Sequence, residues 1–265
     1  MAPSAAQMEQ VAQDLIDKVE ELGNLPARIR ESFRDAADMP IIRYVLRIGD
    51  EIIEIGNDFA DAISRLWDKF VEAIEGVGAP VAFISTSYDW VDVAKSMNTV
   101  ASDLEDTAVK VGGYWQGAAA ESYSDAIAPQ RIAAARMGSI AAAIRSATLT
   151  LGVAGVTFYT SLLSIVIAVI VEAVAECLTA GTGVGAIPAG IAGLITAAKF
   201  AGLVTASISG IFTIIQSTMG QVQAVQLELD NSQGFPLGHW PATGAADYTD
   251  ATVLDGDADW SVKSG

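Results

Sequence analysis

The stretch Gly112–Ala120, GGYWQGAAA, separates two amphipathic segments and predicts the turn of a helical hairpin. The segment before it places apolar residues at alternating spacings of three and four, at Trp90, Val93, Met97, Val100, Leu104, Ala108 and Val111. The segment after it continues at helical spacing through Tyr123, Ile127, Ala133, Met137, Ile140 and Ile144, with a bend expected near Pro129. Because a short loop leaves two helices antiparallel, we expect a helical hairpin over residues 81–147.

Three features of this hairpin form a pattern. The turn is Trp115-Gln116-Gly117, the pair Ala118-Ala119 opens the second helix, and the aromatic Tyr123 follows one turn later. Over residues 87–147 the pattern resembles the WXG family of type VII (ESX) secretion substrates. The resemblance implies a hairpin that pairs with itself or with another WXG-type protein, with Trp115 and Gly117 as a recognition turn. The alternative is a structural role, in which Trp115 caps the end of the apolar seam and Gly117 permits a backbone conformation closed to other residues.

The resemblance also implies export by the type VII machinery without a cleaved signal peptide. In that family the export signal is a Tyr-x-x-x-Asp/Glu set just beyond the second helix of the hairpin. In this chain the spacing occurs at Tyr88 and Asp92, before the expected first helix. Either a partner supplies the signal, or the chain is related to the family in fold without being exported itself.

The N-terminal part, residues 1–80, predicts further amphipathic helices. One stripe runs through residues 7–22 and is expected to stop at Gly23-Asn24, and a short helix is expected from about Pro26 to Ala37. A long helix is then expected over residues 41–74. Its heptad seam consists of Ile41, Val45, Ile48, Ile52, Ile55, Phe59, Ala62, Leu66 and Phe70.

A very apolar region follows the WXG-like hairpin. The 25 residues from Ala147 to Val171 carry no charge, which is long enough to cross a bilayer core of ~30 Å at ~1.5 Å per residue. A turn near Gly181–Gly185 leads to a second run, broken only by Lys199, that extends to Leu227. We expect an apolar helical hairpin over residues 148–230.

The setting of that apolar hairpin has two interpretations. Small residues recur every fourth position in its second arm, at Ala189, Gly193, Ala197, Ala201, Thr205 and Ser209, and permit close helix packing in either setting. The upstream amphipathic stripes need covering, which favours burial in a soluble bundle over residence in a membrane. In a dry core, Ile167→Arg would unfold the protein, because it would bury an unpaired charge.

Charge and composition exclude several classes of function. The net charge is −17 with no basic run, whereas binding of nucleic-acid phosphates needs clustered Lys and Arg. One cysteine, Cys177, and one histidine, His239, supply neither a zinc site nor a catalytic triad. Glu172 and Glu176 share one helical face and either hold a metal or a proton or mark a solvated helix end. We therefore expect no enzyme activity and no cofactor.

The tail, residues 231–265, combines Gly and Pro with accumulating Asp and is expected to be mostly disordered. Trp240 and Trp260 are unusual in such a segment and are candidate docking residues, the alternative being incidental exposed rings.

The expected fold is therefore all-α, an elongated helical bundle with a Trp-x-Gly hairpin and a second, apolar hairpin. Two functions fit it. The first is a non-enzymatic type VII (ESX) secretion substrate or secretion-associated interaction protein, secreted by a signal-peptide-independent route. The alternative is a membrane-inserting or pore-forming protein that uses the apolar hairpin over residues 147–227.

Overall fold

The structure is a computed structural model, and it describes residues 5–105, 115–116, 118–230, 234–241 and 261–262. Within these residues, long helices dominate, and they are α1 (Ala5–Ala37), α2 (Gly49–Ile74), α3 (Ala79–Asp103), α4 (Ala118–Ala180) and α5 (Ala186–Asp230). The shorter elements are a π-helical segment at Ile41–Leu46, a 3-10 turn at Pro236–Gly238, and the strands β1 (Trp115–Gln116) and β2 (Ser261–Val262). The prediction of an all-α helical bundle is confirmed.

The chain divides into two units, and each combines two separate stretches of sequence. Unit 1 contains residues 1–84 and 150–217, and unit 2 contains residues 85–149 and 218–265. The helices α4 and α5 contribute residues to both units.

The core of unit 1 is built from four heptad seams. In α2 the buried residues alternate at spacings of four and three, at Ile52, Gly56, Phe59, Ile63, Leu66 and Phe70. The same alternation marks α1 from Leu15 to Ala36, α4 from Gly155 to Ala173, and α5 from Ala186 to Val204. Such seams are typical of helices that interlock side by side at shallow crossing angles. Burial of these side chains is the main stabilising contribution within unit 1.

Glycines let the apolar arms approach α1 and α2 closely. A Cβ on Gly193 would lie 2.6 Å from Cζ of Phe59, and one on Gly190 would lie 2.9 Å from Ile55 and 3.1 Å from Phe33. The hydroxyl of Ser32 donates a hydrogen bond to the carbonyl oxygen of Cys177 over 2.8 Å. The apolar hairpin is therefore covered along one face by the amphipathic helices that precede it.

The predicted stop at Gly23-Asn24 is wrong, because α1 continues without a break to Ala37 and includes Pro26. A Cβ on Gly23 would lie 2.8 Å from Nε1 of Trp67. The glycine is therefore a point of close approach between α1 and α2. Continuous burial on both sides of it outweighs the ~1 kcal/mol that a glycine costs inside a helix.

The predicted single helix over residues 41–74 is also interrupted. Ile41–Leu46 forms the π-helical segment, Arg47 adopts the left-handed conformation with φ of 57°, and α2 begins only at Gly49. The amide of Arg47 donates to the carbonyl of Ile42 over 2.7 Å. Ile41 and Val45 consequently face solvent instead of joining the predicted seam.

The expected boundary between the WXG-like and apolar hairpins does not appear as a break in the helix. Residues 118–180 form one helix of 63 residues, α4, with Pro129 inside it. The expected turn near Gly181–Gly185 is confirmed, with Gly183 at φ of 77°.

In unit 2, α3 packs against α4 through another glycine. A Cβ on Gly138 would lie 2.5 Å from Oδ1 of Asn98 and 3.5 Å from the carbonyl oxygen of Ala94. The C-terminal part of α5 approaches the same region of α4, and together they line a cavity of about 370 Å³ with Ser139, Ile140, Ala143, Ser146, Gln221, Ala224 and Val225.

Candidate partner-binding surfaces

The Trp-x-Gly segment is held by a strand pair. Trp115 lies opposite Val262 and Gln116 opposite Ser261 in an antiparallel ladder. The expected turn therefore contains a two-residue strand that pairs with the C-terminal tail, which the helical pattern gave no reason to expect. Gly117 lies outside the described residues.

The apolar stripe of α3 is only partly covered. At 100° per residue, Trp90, Met97 and Leu104 form one line, and Val93 and Val100 form a neighbouring line about 60° away. The first line is half-buried, whereas Val93 and Val100 are each 37% exposed. On the other side of the first line, Ser87 is buried and Ala94 and Ala101 are half-buried. The packed face is thus rotated relative to the predicted stripe, whose outer edge stays open.

Tyr88 and Asp92 lie within α3 and not before it, so the expectation that they precede the first helix of the hairpin is wrong. Both are exposed, and their one-turn spacing places them close together on the side of α3 away from its packed face. Their side chains are accessible to a partner at this position.

The tail residues Gly234–Pro241 dock on α4. Gly234, with φ of 83°, approaches Ile132 and Ala133 closely enough that a Cβ would lie 3.3 Å from Cγ2 of Ile132. The guanidinium carbon of Arg136 lies 5.8 Å from the centroid of the Phe235 ring. This segment is therefore ordered against α4, unlike the expected disorder.

Trp240 contributes to this docking indirectly. Its ring meets the Phe235 ring edge to face, with centroids 6.1 Å apart, and remains 45% exposed. Phe235, the residue that contacts α4, was missed by the sequence reasoning, although its position between Gly234 and Pro236 marks it as a constrained aromatic. Trp260 lies outside the described residues.

The outer face of the apolar hairpin remains uncovered. Its large exposed side chains include Val153, Ile167, Val171, Ile191, Ile195, Leu203, Ile208, Phe212 and Ile215. The hydroxyls on this face donate to carbonyls of their own helix, as Thr157, Thr160 and Ser164 do in α4 and Thr205, Ser209 and Thr213 do in α5. The small-residue row winds from buried Ala189, Gly193 and Ala197 to exposed Thr205 and Ser209.

The charged groups of the hairpin interact with one another. Thr196 donates to Oε2 of Glu172 over 3.1 Å, and Nζ of Lys199 lies 3.9 Å from Oε1 of the same carboxylate. Burial raises the pKa of Glu176, and the nearby Glu172 raises it further. Among the described residues no three His, Cys, Asp or Glu side chains gather into a group that could hold a metal ion.

Comparison with known proteins gives no relative for this chain. No protein-family model matches it, and no curated protein or solved structure matches it either.

Proposed function

We propose that this chain is a non-enzymatic interaction protein that binds a partner helix along α3, and that it is a substrate or accessory protein of type VII (ESX) secretion. The observation that carries the proposal is the apolar stripe of α3. The stripe packs on α4 along one edge and leaves Val93 and Val100 in solvent along the other.

The spacing of the stripe fits a helical partner. Trp90, Val93, Met97, Val100 and Leu104 alternate by three and four residues, as do the a and d positions of a coiled coil. A second amphipathic helix laid along the open edge would bury Val93 and Val100 and the exposed sides of Trp90 and Met97. The partner is a second copy of this chain or another WXG-type protein, as the resemblance over residues 87–147 implies.

The assignment to type VII secretion rests on sequence features and on their exposure. It is supported by the Trp115-Gln116-Gly117 pattern and by the exposed Tyr88 and Asp92 one helical turn apart. In this proposal the secretion machinery is a second partner, and the route is independent of a signal peptide.

Light scattering after size exclusion tests the partner face. Val93→Glu/Val100→Glu places two carboxylates on the open edge, and we expect it to abolish self-association of the full chain or its co-purification with a co-expressed WXG-type protein. The control Ile53→Glu/Val71→Glu alters two similarly exposed residues of α2 and should leave association intact. Association that survives the α3 change, or a chain that binds neither partner, contradicts the proposal.

A second candidate is membrane insertion of the apolar hairpin, favoured by its uncovered outer face. The helices over Tyr123–Ala180 and Ala186–Leu227 are long and apolar enough to cross a membrane by length and composition, and only 28% and 22% of their most apolar 18-residue stretches are buried. A lipid environment offers no water to hydrogen-bond polar groups. The hydroxyls of these helices meet that condition because they donate to carbonyls of their own helix. Retention of the expressed chain in membranes after a carbonate wash would support insertion, and full release would contradict it.

A further inference from the structure

Two loops of unit 1 meet at one end of the apolar hairpin. The first is the π-helical segment Ile41–Leu46, and the second is the turn between α4 and α5. Gly183 in that turn lies so near the first loop that a Cβ there would be 2.6 Å from Sδ of Met39 and 3.4 Å from Cγ1 of Ile42. We name the exposed apolar side chains of the π-helical segment, of the α4–α5 turn and of the last helical turn of α4 the apolar tip, and they are Ile41, Tyr44, Val45, Leu46, Leu178 and Val184.

The apolar tip is unusually exposed. Tyr44 and Val45 are each 71% exposed, Leu178 is 74% and Val184 is 68% exposed. Single exposed apolar side chains are ordinary on protein surfaces, but six on two segments that approach each other at Gly183 are of the kind that marks an interaction site. Ile42, fully buried, anchors the first loop on the core.

The backbone holds these side chains outward. A continuous α-helix through residues 41–74 would turn Ile41 and Val45 toward the seam that contains Ile52 and Phe59. The π-helical segment and the left-handed Arg47 break that register instead. A non-glycine residue in the left-handed region is strained, so the exposed arrangement is maintained against a local conformational cost.

The hydroxyls at the α4–α5 turn are satisfied internally. The hydroxyl of Thr179 donates to the carbonyl of Ala175 over 3.0 Å, and that of Thr182 donates to the carbonyl of Thr179 over 2.8 Å. The amide of Gly185 donates in turn to the Thr182 hydroxyl over 3.2 Å. The α4–α5 turn can therefore enter a less polar medium without stranding these donors.

Two arginines lie among the apolar side chains of the first segment. The net charge of the protein is −17, yet residues 39–49 contain Arg43 and Arg47 and no acidic residue, and residues 177–190 contain no charge. Arg43 lies 3.4 Å from Asp38, but both side chains are more than 60% exposed, so this pair is weak. Among the described residues Arg47 forms no ion pair. Apolar side chains, a tyrosine and flanking arginines are the combination that settles at a membrane interface.

We propose that the apolar tip docks on the surface of a phospholipid bilayer, with its apolar side chains at the acyl boundary and Arg43 and Arg47 at lipid phosphates. A second copy of the chain is a poorer occupant, because two tips face to face would bring Arg43 and Arg47 of both copies together. The acidic remainder of the chain is repelled by an anionic surface, which leaves the tip as the oriented point of contact. This docking requires neither the partner helix on α3 nor insertion of the hairpin.

Vesicle co-sedimentation of the full chain at physiological salt tests the proposal. The probes are phosphatidylcholine vesicles and phosphatidylcholine vesicles that contain a minor fraction of phosphatidylglycerol. We expect wild type to bind both, and Tyr44→Asp/Leu178→Asp to lower the partition coefficient at least about tenfold, the factor for withdrawing one leucine-sized side chain from an apolar environment. Arg43→Gln/Arg47→Gln should lower it by about fivefold per arginine in the anionic vesicles.

The matched control is Ile53→Asp/Val71→Asp, which adds the same charge at two exposed apolar residues of α2 outside both the tip and the apolar hairpin, and should retain wild-type partition. Circular dichroism melting of each variant verifies that the fold is intact. Vesicle binding that is absent in wild type, or that the tip and control variants weaken equally, overturns the proposal. The mass of the chain is also measured without vesicles. Self-association that only the tip variant abolishes would assign the tip to a second copy and would also overturn the proposal.

Discussion

Glycines at two positions of α5 occupy opposite environments. Gly193 faces the ring of Phe59, where a Cβ would lie 2.6 to 2.7 Å from three ring atoms, whereas nothing lies within 4 Å of a Cβ on Gly202. Neither glycine has a positive φ, so alanine fits the backbone at both sites. The two sites therefore separate packing from helix propensity within one element.

We expect Gly193→Ala to lower the free energy of unfolding by roughly 1–3 kcal/mol, because Phe59 is fully buried and has no room to retreat. Gly202→Ala should raise it by roughly 0.5–1 kcal/mol, because alanine loses less backbone entropy in a helix. Denaturant unfolding followed by circular dichroism measures both. Equal effects at the two sites would contradict the close packing of α5 against α2.

Trp115 poses a different question at the same scale. Its backbone belongs to the strand pair with Val262. An alanine keeps the backbone groups of that pair, so the substitution removes only the indole.

If Trp115 is a recognition residue, Trp115→Ala should keep helicity and melting nearly unchanged and abolish export from a host that carries a type VII system, or partner co-purification. Secretion is measured in the culture medium and melting on the purified chain. A loss of ~3–5 kcal/mol in stability, typical of a large aromatic removed from a core, would assign Trp115 a structural role instead.

At the scale of elements, α4 has a buried face and an exposed face, and neighbouring residues can lie on different ones. Val166 is fully buried in the core of unit 1, whereas the next residue, Ile167, is 41% exposed on the uncovered outer face. The expectation that Ile167→Arg would bury a charge is therefore wrong. The charge-free sequence of this arm shows its apolarity but not which side α1 and α2 cover.

We expect Val166→Arg to unfold or aggregate the protein, because an unpaired buried charge costs several kcal/mol against a total stability of ~5–15 kcal/mol. Ile167→Arg should leave a soluble, folded protein, since its guanidinium reaches water. Thermal melting and the soluble yield of both variants check this pair. Unfolding by Ile167→Arg would place that face in a core or against an unseen partner.

The helices were predictable where the periodic pattern alone decides the structure. In the predicted seam, Ile52, Phe59, Leu66 and Phe70 are buried, because an apolar stripe leaves water by packing on a neighbour. Ile55 and Ala62 are only half-buried, and the buried residues at those turns are Gly56 and Ile63. Local stop signals were less reliable, since Gly23 reports a close approach to Trp67 and not the end of a helix.

The candidate surfaces were harder to predict than the helices. Tyr88 and Asp92 were identifiable by spacing, but their place inside α3 depends on where the helix begins at Ala79. The apolar tip left no periodic signal, because it forms only when the π-helical segment meets the turn at Gly183 from far along the chain. Phe235 likewise acquires its role only from Arg136 on α4.

For the whole molecule, the division into two units shows which stretches of sequence make up each unit. The core cluster of unit 1 extends from Leu15 to Val204 and includes no residue beyond 217. Unit 2 combines residues 85–149 with residues 218–265.

A chain truncated after residue 217 should therefore retain unit 1 and lose protection within residues 85–149. Amide hydrogen exchange resolves this by residue, with slow exchange expected at Phe59 and Leu162 in both chains. The full chain is the control. A global loss of protection would show that the units fold only together.

The interleaved order of these stretches also matters while the protein is being made. The first stretch of unit 1, which contains α1 and α2, ends at residue 84, but its second stretch ends at residue 217, which is 133 positions later. At ~5–20 residues per second, synthesis of the intervening chain takes about 7–27 s. During that interval the nascent chain exposes half-covered apolar faces at the ribosome, where chaperones that hold unfinished chains have time to bind.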